Sequence, residues 1–242
     1  MSVAIEHTGA NSVDGSNTLV LPELGTGASD RIAVVLGTGG SISGHPTITS
    51  VVRAGQTFSA QEYATRGLYI FCHCALYVTP SEAAAITTIT YQYSGQYGAG
   101  IHFLSGVDTA APNRDSGTAN GNASNSSIGV TSAVGDLVCD SIGGFGDMEG
   151  NAGSGQTEWW YYYIDPAMVQ WHTAGSTKAG ASGTVNMTWT WSGTQEWMGV
   201  AISVAFKAGA GGDELPQSLH AVRQGVIGSP CQLHPIEEGY VS

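Results

Sequence analysis

Charge is scarce in this chain. Asp, Glu, Lys and Arg make up 11% of its 242 residues, and 7 basic residues stand against 19 acidic ones. A surface helix needs Lys, Glu and Arg along its wet face, so this composition excludes a mainly helical protein. Nucleic-acid affinity comes mostly from Lys and Arg neutralising phosphates. With a net charge of −12 and no two basic residues adjacent, nucleic acid and anionic membrane surfaces are set aside as partners. The acidity serves solubility or complements a basic partner surface. Cysteine is scarce too. Cys72, Cys74, Cys139 and Cys231 are too few and too scattered for a disulfide framework, and the expectation is reduced thiols. No apolar run approaches the ~20 residues of a membrane-spanning helix. The opening "MSVAIEHTGANSV" has neither the basic nor the apolar region of a signal peptide, which leads to the expectation of synthesis and assembly in a cytoplasm.

What the chain does have is 35 glycines and many short runs of β-branched and aromatic residues. Strand signals recur at 17–21, 31–37, 47–53, 67–78, 85–93, 100–107, 127–132, 136–144, 157–164, 184–191 and 197–207, separated by Gly, Asn, Ser and Pro. In "TVNMTWTW", Val185, Met187, Trp189 and Trp191 alternate with polar residues, the mark of a half-buried strand. "WMGVAISVAFK" (197–207) is apolar on both faces, as in a strand covered on both sides. One helical turn is expected at "TPSEAAA" (79–85), and polar loops at 115–128 and 142–156. The reading is all-β: a jelly-roll-like antiparallel β-sandwich over 1–208, with 1–30 as an N-terminal arm or edge strand. Residues 209–242 lack periodicity and read as a C-terminal arm, in which Leu219, Val222 and Ile227 are apolar for a plain linker.

Motifs for chemistry fare poorly. There is no G-x-S-x-G elbow, and "GTGGSISG" (37–44) lacks the lysine of a phosphate loop. "DTA" (108–110) and "DSG" (115–117) match aspartic-protease triplets, but that site needs two lobes to bring its carboxylates together, and these aspartates are too close in sequence. Both read as turns. "CHC" (72–74) puts two sulfurs on one face of a strand and His73 on the other, unlike a zinc knuckle. Asp147, Glu149, Asn151 and Glu158 fall at positions 1, 3, 5 and 12 of a calcium-loop pattern, with Ala152 where that pattern wants glycine. The expectation is therefore no metal, no cofactor and no catalytic residue.

The strongest signal is "TEWWYYYIDPAMVQW" (157–171). In an extended chain Trp159, Tyr161 and Tyr163 share one face, and Trp160, Tyr162 and Ile164 share the other. Aromatics of this density serve a core, a subunit contact or a sugar platform. Trp159, Trp160, Tyr161, Tyr162, Tyr163 and Trp171 are candidate partner-binding residues, together with Leu219, Val222 and Ile227 of the arm.

Four segments in order then carry a resemblance: "LYIFCHCALYVTPSEAAAITTITY", "GAGIHFLSGVDTAAP", "SSIGVTSAVGDLVCDSI" and "STKAGASGTVNMTWTWSGTQEWMGVAISVAFK". Together they resemble a family of small glycine-rich β-sandwich proteins of tailed-phage virions, over roughly residues 30–208. The matched positions are fold signatures: the turn at Gly106–Asp108 before Pro112, the start of a buried strand at Asp136–Val138, and a central strand from Trp197 to Phe206. The resemblance implies a non-enzymatic virion component, a capsid decoration (cement) protein that binds the major capsid protein and itself, with a trimer suited to a threefold site. The alternative it leaves open is a carbohydrate-binding receptor module of a tail or fibre.

Overall fold

The computed structural model describes residues 2–24, 31–41, 43–44, 47–66, 70–79, 85–146, 149–164 and 170–207. Among them there are thirteen strands and no helix. The chain runs through β1 (Ala4–Leu24), β2 (Arg31–Gly40), β3 (Ile48–Arg53), β4 (Gln56–Thr57), β5 (Ser59–Arg66), β6 (Ile70–Thr79) and β7 (Ala85–Ser105). It continues with β8 (Asn113–Ser132), β9 (Leu137–Phe145), β10 (Asn151–Ala152), β11 (Gln156–Ile164), β12 (Trp171–Ala179) and β13 (Gly183–Val204). All pairings are antiparallel. The first sheet has the order β4-β3-β7-β2-β6-β5 with β1 on the other side of β7; the second has β10-β13-β9-β12-β11 with β8 on the other side of β13.

The two sheets are the same construction made twice. β1, β2 and β3 pair with β7, β2 pairs with β6, and β6 pairs with β5; in the second half β8, β9 and β10 pair with β13, β9 with β12, and β12 with β11. The registers agree in detail. Gly39 lies opposite Tyr97 and Phe71, and Gly144 lies opposite Trp197 and His172. Leu19 and Leu21 face Ile89 and Thr87 as Ile128 and Val130 face Met187 and Val185. The edge strands bulge at the same place: between Ala60 and Glu62 in β5, between Glu158 and Trp160 in β11. The chain is thus a tandem repeat, residues 4–105 and 113–204.

Each repeat curls on itself. The Asp115 carboxylate accepts the Thr131 N–H at 2.6 Å, although the two residues are 16 apart along β8, a distance of roughly 50 Å in a straight strand. In β1 the Asn11 amide likewise reaches the Val20 carbonyl at 2.8 Å. The bend falls where the long strands break register, at Val13–Thr18 against Gly95 and at Thr190–Gln195. Bulges and glycines are the usual means of turning a sheet. A Cβ on Gly95 would lie 2.3 Å from the Gly40 carbonyl, so the corner has no room for a side chain.

Folding each sheet over creates an inner core. In the first repeat Leu19, Leu21, Val51, Ile89 and Tyr91 of one leaf meet Val35, Phe71, Tyr97, Ile101 and Phe103 of the other. In the second, Ile128, Val130, Met187, Trp189 and Trp191 meet Val138, Ile142, Ala174 and Trp197. A third core joins the repeats face to face through Val34, Leu36, Cys72, Cys74, Leu104, Cys139, Trp160, Trp171, Val200 and Ile202. Strands between two cores are buried on both sides, which is why β9 and the second half of β13 are buried nearly throughout while the first half of β13 alternates.

Several expectations are corrected here. The polar stretch 115–128 is the body of β8. The presumed loop 142–156 contains the end of β9, the strand β10 and the start of β11. The segments 85–93 and 100–105 belong to one bent strand, as do 184–191 and 197–204. Of the two readings of the N-terminal segment, arm or edge strand, the edge strand holds over Ala4–Leu24. A jelly roll passes its chain between two sheets, whereas here the first sheet is complete before the second begins, so the layered antiparallel class stands and jelly-roll connectivity does not follow from it. The helical turn expected at 79–85 lies mostly outside the described residues, as does the whole of 209–242.

Candidate functional site: the aromatic edge strand

β11 is the outer strand of the second sheet and pairs with β12 alone. Its alternation divides the aromatic run. Trp160 and Ile164 are buried in the core between the repeats, with Tyr162 packed against it. The Trp160 ring fills a slot that exists because two neighbours lack side chains: a Cβ on Gly100 or Gly175 would sit 2.2 or 2.0 Å from it. Trp171, on β12, is fully buried in the same core with its ring 4.9 Å from that of Phe145. Trp160 and Trp171 are therefore core residues, and neither offers a surface to a partner.

Tyr161 is partly buried against the inner core of its own repeat, and its hydroxyl bonds with Nδ1 of His172. Two rings remain outside. Trp159, the residue in the bulge, is 38% exposed, and Tyr163 is 46% exposed. Trp159 donates its Nε1–H to Thr177 Oγ1 at 2.7 Å, and its ring lies 6.0 Å from buried His102. Tyr163 lies 4.8 Å from the His172 ring, tilted by 46°. Beside it Glu149, Tyr161, Tyr163, Gln170 and His172 line a shallow cleft of about 490 Å³. A backbone bond from Gly146 N–H to the Gln170 carbonyl at 3.2 Å joins the end of β9 to the residue that enters β12. Sequence reasoning singled out neither Gln170 nor His172. The signal available was their position on either side of Trp171, in a stretch too poor in β-branched residues to read as a strand.

The equivalent edge strand β5 provides an internal comparison. Glu62 faces Cys74 where Trp160 faces Gly175, so Gln61 occupies the position of Trp159 and Thr65 that of Tyr163. His172 takes the place of Phe71, which in the first repeat is buried in the core.

The other candidates have structural roles. Cys72 and Cys74 lie in the inter-repeat core; burial pushes both thiols up, that of Cys74 to about 12. His73 points the other way, to Tyr91, with Nε2 3.4 Å from its hydroxyl, and burial lowers it to about 3, so the ring is neutral. Asp108 accepts the Ala110 N–H at 3.1 Å as a turn residue, whereas Asp115, expected in a turn, lies within β8 and holds its curl. Of the calcium-loop pattern, Asp147 lies outside the described residues, Asn151 is in β10 and Glu158 is in β11 at the bulge. Among the described residues no three His, Cys, Asp or Glu side chains gather as metal ligands would, and no helix is long and apolar enough to cross a membrane. Leu219, Val222 and Ile227 lie outside the described residues.

Fold and site together define a two-repeat antiparallel β protein with an aromatic edge strand on its second repeat. No family model, no curated protein and no solved structure matches the chain.

Proposed function

We propose that this chain is a non-enzymatic virion structural protein of a tailed phage, a capsid decoration protein that binds the major capsid protein and associates with itself. Trp159 and Tyr163 of β11 belong to the contact surface. The carrying observation is internal: the same strand in the same register is built in the first repeat with Gln61 and Thr65 at these positions, so the fold does not require the two exposed rings. Exposed aromatics that a fold does not need are characteristic of binding surfaces, where Trp and Tyr dominate the energetics. The identity of the partner rests on the sequence resemblance, and the trimer on the fit of a small decoration module to a threefold position.

The test is reconstitution. Purified protein is run on a sizing column and then mixed with expanded capsids that lack it. Saturable binding, weakened at least tenfold in Trp159→Ser/Tyr163→Ser, is the expected result; capsids that take up none of the protein would remove the reading. A second reading, a carbohydrate-binding receptor module, is favoured by the cleft beside Tyr163, where ring faces and polar groups converge.

A further inference from the structure

We propose that the cleft over the face of the β11–β12 pair binds an uncharged pyranose ring, with Tyr163 as the stacking platform and Glu149 and Gln170 as hydrogen-bonding groups. This inference rests on the carbohydrate reading above and names its site and substrate class.

Three observations carry it. The lining combines two phenols, an imidazole, a carboxylate and a primary amide, with no Lys or Arg among the described lining residues. A sugar has an apolar C–H face and a rim of hydroxyls. The first needs a flat ring, which Tyr163 presents at 46% exposure. The second needs acceptors and donors at the rim, which exposed Glu149 and Gln170 provide: the carboxylate accepts O–H donors, and the amide does both. A carboxylate in a cleft with no Lys or Arg among its described lining residues repels sialic and uronic acids, which selects neutral rings. The volume, about 490 Å³, lies within the ~300–1,000 Å³ of small-ligand sites.

The walls are also held in place. Tyr161 is fixed through its hydroxyl to His172, His172 is buried on β12 beneath Tyr163, and the Gln170 carbonyl is held by the Gly146 N–H at 3.2 Å. The first repeat has Phe71, buried in the core, at the position of His172 and a threonine at that of Tyr163, so it lacks the imidazole and the ring at these two positions.

Ligand-observed saturation-transfer NMR on the full chain tests this. The probes are the methyl glycosides of glucose, galactose and mannose, with methyl glycosides of a sialic acid and a uronic acid as charged comparators. The expected result is transfer to at least one neutral hexoside, at least tenfold weaker in Tyr163→Ala and in Gln170→Ala and unchanged in Trp159→Ala, with all variants melting as the parent does. Should Tyr163→Ala fail to fold, Gln170→Ala and Glu149→Gln report on the same cleft from exposed positions. Transfer abolished by Trp159→Ala but not by the cleft variants overturns the cleft and leaves the carbohydrate reading standing, as does preference for the acidic sugars. No transfer to any probe overturns both.

Discussion

At the scale of single residues, the second repeat differs from the first in where it buries polarity. Asp140 is fully buried, and its carboxylate accepts the Ser176 N–H at 2.8 Å, the Ser176 hydroxyl at 2.7 Å and the Trp189 Nε1–H at 2.8 Å. Burial raises its pKa to about 6 against the pull of these donors. A carboxyl raised on folding stabilises the fold most below its unfolded value near 4, and that stability is lost as pH rises through 6. Two units correspond to about 3 kcal/mol. His102 acts in the opposite sense. It is fully buried beside Trp160, neither ring nitrogen has a hydrogen-bond partner among the described residues, and burial lowers it to about 4. Its contribution is complete above pH 6.5 and is lost as pH falls through 4. Between pH 4 and 6.5 the two groups therefore oppose each other. We expect Asp140→Asn to remove the compensating slope, so that its melting temperature falls more steeply from pH 6.5 to 4 than that of the parent; equal slopes would show that Asp140 is not the group titrating. His102→Phe should raise stability by about 1–3 kcal/mol at pH 7, because a ring of similar shape replaces a buried polar group, and should flatten the acid limb in urea titrations. A loss of stability would mean that His102 has a partner such as water. None of this was visible in sequence, since an isolated aspartate or histidine carries no mark of burial.

At the scale of elements, legibility followed residue type. Strands written in β-branched and aromatic residues, such as β2, β9 and β13, were readable, and so was the change from alternation to double-sided burial along β13. The first two thirds of β8 and the whole of β12 were not. "NRDSGTANGNASNSS" and "HTAGSTKA" have loop composition, and they are strands because their partners, the long β13 in one case and β9 and β11 on either side in the other, hold them in register. This is tertiary context overriding propensity. The alternation within 159–164 was readable, but which face met the core was not, since that depends on Gly100 and Gly175 lying across and beside Trp160. The element makes a sharp contrast testable. Trp160→Ala should cost about 3–5 kcal/mol in urea denaturation, as for a large buried ring, and Trp159→Ala no more than about 1 kcal/mol, the loss of one partly exposed ring and its bond to Thr177. Equal costs would mean that the faces of β11 are assigned wrongly.

At the scale of the whole molecule, the governing fact is repetition. Its sequence trace is slight: Thr90-Tyr91-Gln92-Tyr93-Ser94-Gly95 against Thr188-Trp189-Thr190-Trp191-Ser192-Gly193, roughly one hundred positions apart, far beyond the short periods at which repeats announce themselves. Elsewhere the two sequences differ, and each inner core is filled by its own aromatics, Tyr91 and Tyr97 in one and Trp189 and Trp197 in the other. The interface between the repeats has the character of an interior. Val34, Leu36, Cys72 and Cys74 of the first meet Cys139, Trp160, Trp171 and Val200 of the second, and the Thr38 and Thr173 hydroxyls bond across it at 2.6 Å. Either repeat alone would expose that face to water, so the two should unfold as one cooperative unit. The chain carries its own reporters: all six tryptophans lie in the second repeat, while Cys72 and Cys74 lie in the first. In a Cys139→Ala/Cys231→Ser background, tryptophan fluorescence then follows one repeat and thiol labelling the other along the same urea gradient. Coincident midpoints are expected. A thiol transition well ahead of the tryptophan signal would show the first repeat opening while the second stays folded, and the core between them would then be a docking contact between two independent domains.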